Sequence, residues 1–378
     1  MDSSLNVLSL MEDYMGHRTY SQLLRESFRQ SDNCNVDFYW YNEERKLDTK
    51  ILRRLLSFSF PHPWIQKQNL DFRYFRVQLA NALIAKRLAA RKQRQSKYSA
   101  LHLHTYVPAF LAVDLMAQLP TVVSIDMTCL QSAQGRTAPR FRWTYGPNFW
   151  LERRAYESAA QVVTWSEWAR KSVIEDYKID AKKVKAIYPG VNVTRLTPPD
   201  DSQREPQKRF NILFVGGDFE RKGGHDVLDV FLQEFSEKAD LHLATTAPVT
   251  CSHPHVHIHN NVKAYTPEWL KLYRQADVFV MPTYSEAFGY VFIEAMSAGL
   301  PVIATRINAI PEIVSHGDTG FLIQPGDRRD LAEKIRILME DSSLIDQMGV
   351  KARQIVEHKF NAQKHCHSLG DIFQKISI

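Results

Sequence analysis

The sequence predicts an α/β protein built from two doubly wound domains in tandem, and three observations carry that expectation. Short apolar strands alternate with amphipathic helical stretches along the whole chain. The alternation stops once, in a polar, proline-rich stretch, and then starts again. At 378 residues the chain is long for one core and ample for two of ordinary size.

In the first half the predicted strands are LNVLSLM (5–11), NVDFYWY (35–41), SALHLH (99–104), TVVSID (121–126), QVVTW (161–165) and KVKAIY (183–188). Helices are expected between them, the clearest over 72–94, where Phe72, Phe75, Leu79 and Leu83 recur at helical spacing. The pattern stops at YPGVNVTRLTPPDDSQREPQK (188–208), whose four prolines and polar run mark a connection. A first domain over 1–195, a linker over 196–208 and a second domain over 209–359 are therefore expected. The second series reads FNILFVGG (210–217), a helix near 223–237, DLHLATTA (240–247), a helix near 266–275, DVFVMP (277–282), a helix from about 289, PVIAT (301–305) and GFLI (320–323). From 328 onward the tail reads as three helices; the last, 360–378, is expected to pack back on the first domain.

Composition narrows the class. The content is 44% hydrophobic and 24% charged, that of a soluble globular protein. No apolar run approaches the roughly 20 residues of a membrane-spanning helix. The opening MDSSLNVLSLMEDYM is acidic where a secretory signal is basic, so a cytoplasmic protein is expected. Cys34, Cys129, Cys251 and Cys366 lie far apart and suggest neither a zinc site nor a disulfide framework. The formal charge is +6, and residues 72–113 carry eight Lys or Arg with no Asp or Glu, six of them within KRLAARKQRQSK (86–97). Such a stretch suits nucleic acid, an anionic membrane or an acidic substrate, and equally a solvated helix face.

Ligands of doubly wound sheets bind beyond the carboxyl ends of the strands. After strand 210–215 comes GGDFERKGG, in which Gly216 and Gly217 suit a sharp turn and close backbone approach, and Arg221 and Lys222 precede a helix start. Two cations beside two glycines suit a diphosphate. After strand 277–282 comes TYSEAFGYVFIEAMSAGLPVIAT. Glu286 sits in the loop and Glu294 about one turn into the next helix, with seven residues between them. Taken singly, Glu286 also reads as a helix-capping charge, Glu294 as a solvated face and Phe288 as a core aromatic.

The segment SEAFGYVFIEAMSAGLPVIATRINAIPEIVSHGDTGFLIQPGD (285–327) resembles the signature of the retaining glycosyltransferases of family 4, with the E-x7-E motif falling on Glu286 and Glu294. FVGGDFERKGG (214–224), YPGVNVTRL (188–196) and SEWARKSVIEDY (166–177) resemble further family segments; the likeness is strong from 160 to 340 and thin before 120. It implies the GT-B fold, two Rossmann-like domains facing each other across a cleft, and transfer from a nucleotide-diphosphate sugar, UDP- or GDP-linked, to a hydroxyl acceptor. It further implies that Arg221 and Lys222 neutralise the diphosphate with Gly216 and Gly217. The amides around Phe288, Gly289, Tyr290 and Val291 hold phosphate oxygens, Glu294 takes the ribose hydroxyls, and Glu286 meets the sugar. The basic pair does what a divalent ion does elsewhere, so neither an essential metal nor a cofactor is expected.

The first half departs from the family. Where a glycine-rich turn is usual it has MEDYMGHRTYS (11–21), with Gly16 before His17 and Arg18. Where the family often has a histidine near the anomeric region, it has Asp126. A carboxylate there orients the sugar or supports its positive charge, serves as a general base in an inverting reaction, or is a helix cap. The resemblance implies retention. His102 and His104 end the preceding strand; Gly16 and His104 are candidate cleft residues. The aromatic and basic stretch FSFPHPWIQKQNLDFRYFR (58–76) with the basic helix after it suits an anionic lipid surface, so a cytoplasmic enzyme in peripheral contact with a membrane stays open, as does a lipid-linked, saccharide or small acidic acceptor. A non-catalytic nucleotide-sugar sensor on the same fold is the rival. Nucleic-acid binding is not expected, because base-stacking aromatics interleaved with cations are missing elsewhere.

Overall fold

The computed structural model describes residues 5–13, 16–30, 34–44, 46–198, 209–260 and 262–377. The chain divides into two compact units, Met1–Pro189 with Gln363–Ile378, and Gly190–Ala362. Most of the stretch read as a linker, residues 199–208, lies outside the described residues.

In the first unit the strands are β1 (Asn6–Met11), β2 (Asn35–Trp40), β3 (Ala100–His104), β4 (Thr121–Ile125), β5 (Gln161–Thr164) and β6 (Val184–Ala186). Its helices are α1 (Gly16–Arg29), α2 (Leu47–Leu56), α3 (Pro63–Lys67), α4 (Arg73–Gln95), α5 (Val113–Met116), α6 (Cys129–Arg136), α7 (Gly146–Ser158) and α8 (Glu167–Glu175). The strands form one parallel sheet in the order β2-β1-β3-β4-β5-β6. β3 and β4 are buried at every position, as expected for a parallel sheet covered on both faces.

The second unit repeats the plan with β7 (Phe210–Val215), β8 (Ala239–Thr245), β9 (Val256–Asn260), β10 (Val278–Met281), β11 (Val302–Thr305) and β12 (Gly320–Ile323). Its parallel order is β12-β11-β10-β7-β8-β9. The helices are α9 (Gly224–Val230), continued by a π-turn over Phe231–Phe235, α10 (Pro267–Gln275), α11 (Tyr290–Ser297), α12 (Arg328–Glu340) and α13 (Ser342–Lys359). The final helix, α14 (Ala362–Ile376), belongs almost wholly to the first unit. There Phe373 meets Phe28 at 6.0 Å and His102 at 5.4 Å, and Tyr20 hydrogen-bonds His365 at 2.9 Å.

Each sheet starts in its interior and grows outward both ways, so strand order reverses between β1 and β3 and again between β7 and β10. At such a switch point the loops beyond the strand ends diverge and leave room for a ligand. The residues there are Glu12, Thr105 and Asp126 in one unit, and Gly216 to Lys222 and Thr283 to Glu286 in the other.

Three helices of the first unit are tied together by one buried carboxyl. Glu152 on α7 accepts from the Cys129 amide at the start of α6 at 3.0 Å, from Tyr156 at 2.5 Å and from Tyr177 beyond α8. Burial pushes its pKa up to about 7, against the hydrogen bonds from Tyr156, Tyr177 and Cys129, which lower it. Cys34, Cys129, Cys251 and Cys366 are free thiols, the first, second and fourth of them buried. No helix among the described residues is long and apolar enough to cross a membrane. Glu152→Ala strands two buried hydroxyls and an amide, and should lower unfolding free energy by about 3–5 kcal/mol in a urea titration, with Glu152→Gln costing about half as much.

Candidate active site

In the second unit the two loops at the β7/β10 switch point are joined side by side. The Arg221 carbonyl accepts from the Tyr284 amide at 2.9 Å and from Thr283 Oγ1 at 3.1 Å. The Arg221 guanidinium donates to the Ser285 carbonyl and pairs with Asp218 at 2.9 Å. Lys222 Nζ is ion-paired with Glu286, to which Arg221 Nη1 comes within 4.0 Å. Tyr284 Oη donates to Asp226 on α9 at 2.6 Å, and Asn308 donates to the Glu286 carbonyl at 2.7 Å.

The close approach of these loops rests on Gly223. Its φ is +75°, and a Cβ there would lie 2.3 Å from the Pro282 carbonyl oxygen. The turn therefore needs glycine at 223. Gly216 and Gly217, the glycines that the sequence singles out for the sharp turn, are not in the left-handed region. Their added Cβ atoms would sit 3.1 Å from the Phe214 ring and 3.1 Å from Thr246 Oγ1, tight but not prohibitive. Gly289, the residue before α11, has φ +85°, and a Cβ there would meet the Phe292 ring at 2.5 Å and Glu286 Cγ at 3.2 Å. It brings the start of α11 against the loop that carries Glu286.

Glu294 is not a solvated helix residue: it is 7% exposed, on a helix that is buried nearly all round. Tyr265 Oη donates to it at 3.1 Å, and Tyr273 lies beside it. Burial drives its pKa up to about 8, opposed by Tyr265, Lys222 and Tyr273. Phe288 is a core aromatic packed on Phe360 at 6.1 Å, Val291 is partly buried, and Tyr290 donates through its hydroxyl to the Gly190 carbonyl. An open depression of about 650 Å³ between residues 311–319 and 351–359 contains none of these residues.

In the first unit Asp126, just past β4, is 13% exposed and lies 3.5 Å from His17 Nε2. It does not cap α6; Thr128 does, in a reciprocal pair with Gln131. His17, at the start of α1, also contacts His104 Nε2 through Nδ1 at 3.0 Å. A hydrogen-bonded chain continues inward from His104 to Ser124 at 3.4 Å, from Ser124 to His102 at 2.6 Å, and from His102 to Ser9 at 2.8 Å. Ser9 donates to Met11 Sδ at the inner end of the chain, and Nε2 of His17 faces Asp126 at the outer end. His102 and His104 are fully buried; burial lowers the first to about 3 and the second well below the usual range, so both are neutral. Gly16 is exposed with open space around its Cα, so no steric demand for glycine exists there.

One group escaped the sequence reading. Glu12 follows β1 at the switch point, near Thr105, Tyr41, His17 and Asp126, and burial raises its pKa. Its only sequence signal is its position one residue past a strand. Among the described residues no group of three or more His, Cys, Asp or Glu is arranged to hold a metal ion.

Known proteins resemble the chain along most of its length. The family described as Glycosyltransferase Family 4 matches residues 16–195, and that described as Glycosyl transferases group 1 matches residues 209–341. The chain belongs to glycosyltransferase family 4. Family 4 is a family of retaining glycosyltransferases. D-inositol 3-phosphate glycosyltransferase of Arthrobacter sp. (strain FB24) is 26% identical over 294 residues, 68% of this chain and 66% of that protein. The capsular polysaccharide biosynthesis glycosyltransferase CapM of Staphylococcus aureus is 42% identical over 94 residues, 25% of each chain. The match thus spans from a quarter to about two-thirds of these relatives' lengths. Sucrose-phosphate synthase from Thermosynechococcus elongatus superposes with a TM-score of 0.76 at 17% identity, covering 98% of this chain and 99% of that one. HepE of Anabaena, in complex with UDP and glucose, does so with a TM-score of 0.68 at 15% identity and the same coverage. The fold of the family 4 chain is GT-B.

Two outcomes follow. Gly223→Ala should cost about 1–3 kcal/mol in thermal unfolding, since both φ and space exclude a side chain. Glu294 has a folded pKa above the ordinary value of 4.5. Its contribution to stability is therefore complete below that value and lost as pH rises to about 8. Glu294→Gln, which cannot ionise, should raise Tm relative to the native protein at about pH 9 and leave it unchanged at about pH 4.

Proposed function

We propose that this family 4 enzyme transfers a sugar from a UDP-linked donor to a hydroxyl acceptor with retention, and that the second unit's switch-point loops bind the donor. The observation that carries the reading is the pairing of Lys222 with Glu286 beside the buried Glu294. A cation from the turn after β7, the carboxylate that it pairs with from the turn after β10 and a carboxyl sequestered on α11 lie close together. Lys222 and Arg221 face the donor diphosphate, with Gly216 and Gly217 on the same turn, and support its charge as it leaves. The start of α11, from Phe288 through Gly289, Tyr290 and Val291, directs amides and helix dipole towards phosphate oxygens. Glu294 takes the ribose hydroxyls; its burial makes unmatched hydrogen bonds costly, which favours a ligand that completes them. Glu286 contacts the transferred sugar and supports positive charge at its anomeric carbon.

In the first unit Asp126 is assigned to the sugar or acceptor, with His17 orienting its carboxylate and Gly16 and His104 around it. Retention leaves the acceptor proton to a leaving phosphate oxygen rather than to Asp126. The reaction as proposed needs no bound metal and no cofactor beyond the nucleotide-sugar. UDP is the preferred base because HepE, of the same fold, is known in complexes with UDP and with UDP-glucose. The acceptor is a saccharide, a lipid-linked hydroxyl or a small molecule, and the enzyme works in the cytoplasm in peripheral contact with an anionic membrane.

Calorimetry with UDP, GDP and ADP tests the donor site. UDP should bind, and Lys222→Gln should weaken it about 10- to 100-fold, the loss of one charge-assisted contact. No heat with any of the three nucleotides excludes the assignment. Glu286→Gln and Asp126→Asn should each keep UDP affinity within about threefold while lowering turnover about 100-fold or more; equal losses in both readings point to folding damage instead.

A further inference from the structure

The cationic helix α4 is not a free basic face. Lys86 pairs with Asp114 at 2.8 Å, Arg87 with Asp48 at 3.6 Å and Arg91 with Glu44 at 2.6 Å, while Lys92 lies 4.2 Å over the Tyr39 ring. The uncovered surface lies on the short helix packed against it. α2 turns Thr49 inward, and its Arg53 donates to the carbonyls of Tyr41 and Glu44 at 3.0 and 3.2 Å. Leu52 packs on the core and Leu56 is half-buried, but three of the five apolar residues of α2 point the other way: Leu47 is 74% exposed, Ile51 50% and Leu55 65%. The spacing of four places them in one stripe. Phe58, Phe60 and Trp64 continue it, so that six of the eleven large exposed apolar side chains found among the described residues fall within residues 47–64.

An amphipathic helix in a soluble domain normally buries this stripe. Here it faces outward, flanked by exposed Lys50 and Arg54. Residues 46–67 carry Lys46, Lys50, Arg53, Arg54 and Lys67 against Asp48 alone. The neighbouring wall adds to both features. Trp64 stands 5.6 Å from Phe141 and Phe72 5.7 Å from the exposed Trp143. Arg140 lies over Phe141 at 4.8 Å, and residues 127–151 contain Arg136, Arg140 and Arg142 with no acid.

We infer that the α2 stripe with Phe58, Phe60 and Trp64 is a docking surface for an anionic lipid bilayer. Aliphatic side chains enter the acyl boundary, aromatic rings sit at headgroup level, and the cations meet lipid phosphates. The predominantly positive rim selects this occupant: it matches anionic headgroups and repels a second copy of the same face. The inference rests on the peripheral contact proposed above and gives it a surface.

Flotation of the full chain with vesicles tests it, using phosphatidylcholine alone and phosphatidylcholine mixed with phosphatidylglycerol. The native chain should partition onto the anionic vesicles, less so at high salt. Ile51→Glu with Leu55→Glu, and separately Lys50→Glu with Arg54→Glu, should each weaken that partitioning at least about tenfold. UDP binding in the same samples should stay unchanged, which separates failure of the surface from failure of the donor site. Equal flotation of native and altered chains, absence of native binding, or a native dimer that Ile51→Glu dissociates each overturns the inference.

Discussion

The geometry of the second unit's switch-point loops depends on one close contact, the backbone of Gly223 against the carbonyl of Pro282. It lets the turn after β7 lie flat on the turn after β10. Once they touch, the remaining contacts follow from short reach: Tyr284 and Thr283 onto the Arg221 carbonyl, Arg221 onto Ser285, Lys222 onto Glu286. The charges are thus positioned by main chain that is itself held by parallel strands. Fixing them before a ligand arrives removes reorganisation from the binding and bond-breaking steps.

Two buried carboxyls show how differently the units use burial. Glu152 has three donors around it and reaches no ligand; it holds α6, α7 and the end of α8 in register. Glu294 has two tyrosines and the field of Lys222, and burial raises its pKa too. The less satisfied carboxyl is the one on the helix that follows a switch-point loop. Such a group costs stability in the empty protein and recovers it when a ligand supplies the missing donors. A side chain there that cannot ionise is therefore expected to help folding at high pH and to harm recognition at the same position.

Most strands were legible because parallel sheets demand continuous apolar runs, and β12 coincides with GFLI (320–323). β9 was not, because its sequence VHIHN carries polar residues on an edge strand. There His257 and His259 stack on His242 at 4.8 and 5.3 Å, a packing that no hydropathy pattern announces. The motif located Glu286, Glu294, Arg221 and Lys222, yet which glycine bends the turn was invisible in a string containing four. Burial of Glu294 was hidden as well, since its neighbours Tyr265 and Tyr273 come from α10 and the turn before it. The charge run on α4 misled for the same reason: its partners Glu44, Asp48 and Asp114 lie outside the run.

The row of neutral groups behind Asp126 answers a question of orientation. A lone imidazole at the mouth of a sheet can turn over or change tautomer at little cost. His17 cannot do so freely, because its Nδ1 is committed to His104, His104 to Ser124, Ser124 to His102 and His102 to Ser9. Aliphatic residues at 102 and 104 would pack as well and carry no direction. Burial lowers the pKa of both histidines, which favours their uncharged forms. The effect of the row is geometric: one ring nitrogen of His17 is always presented to the carboxylate, 3.5 Å away. Near that carboxylate, Glu12 is held towards its neutral form by burial. Three titratable side chains, Glu12, His17 and Asp126, thus lie within reach of one another at the first unit's switch point.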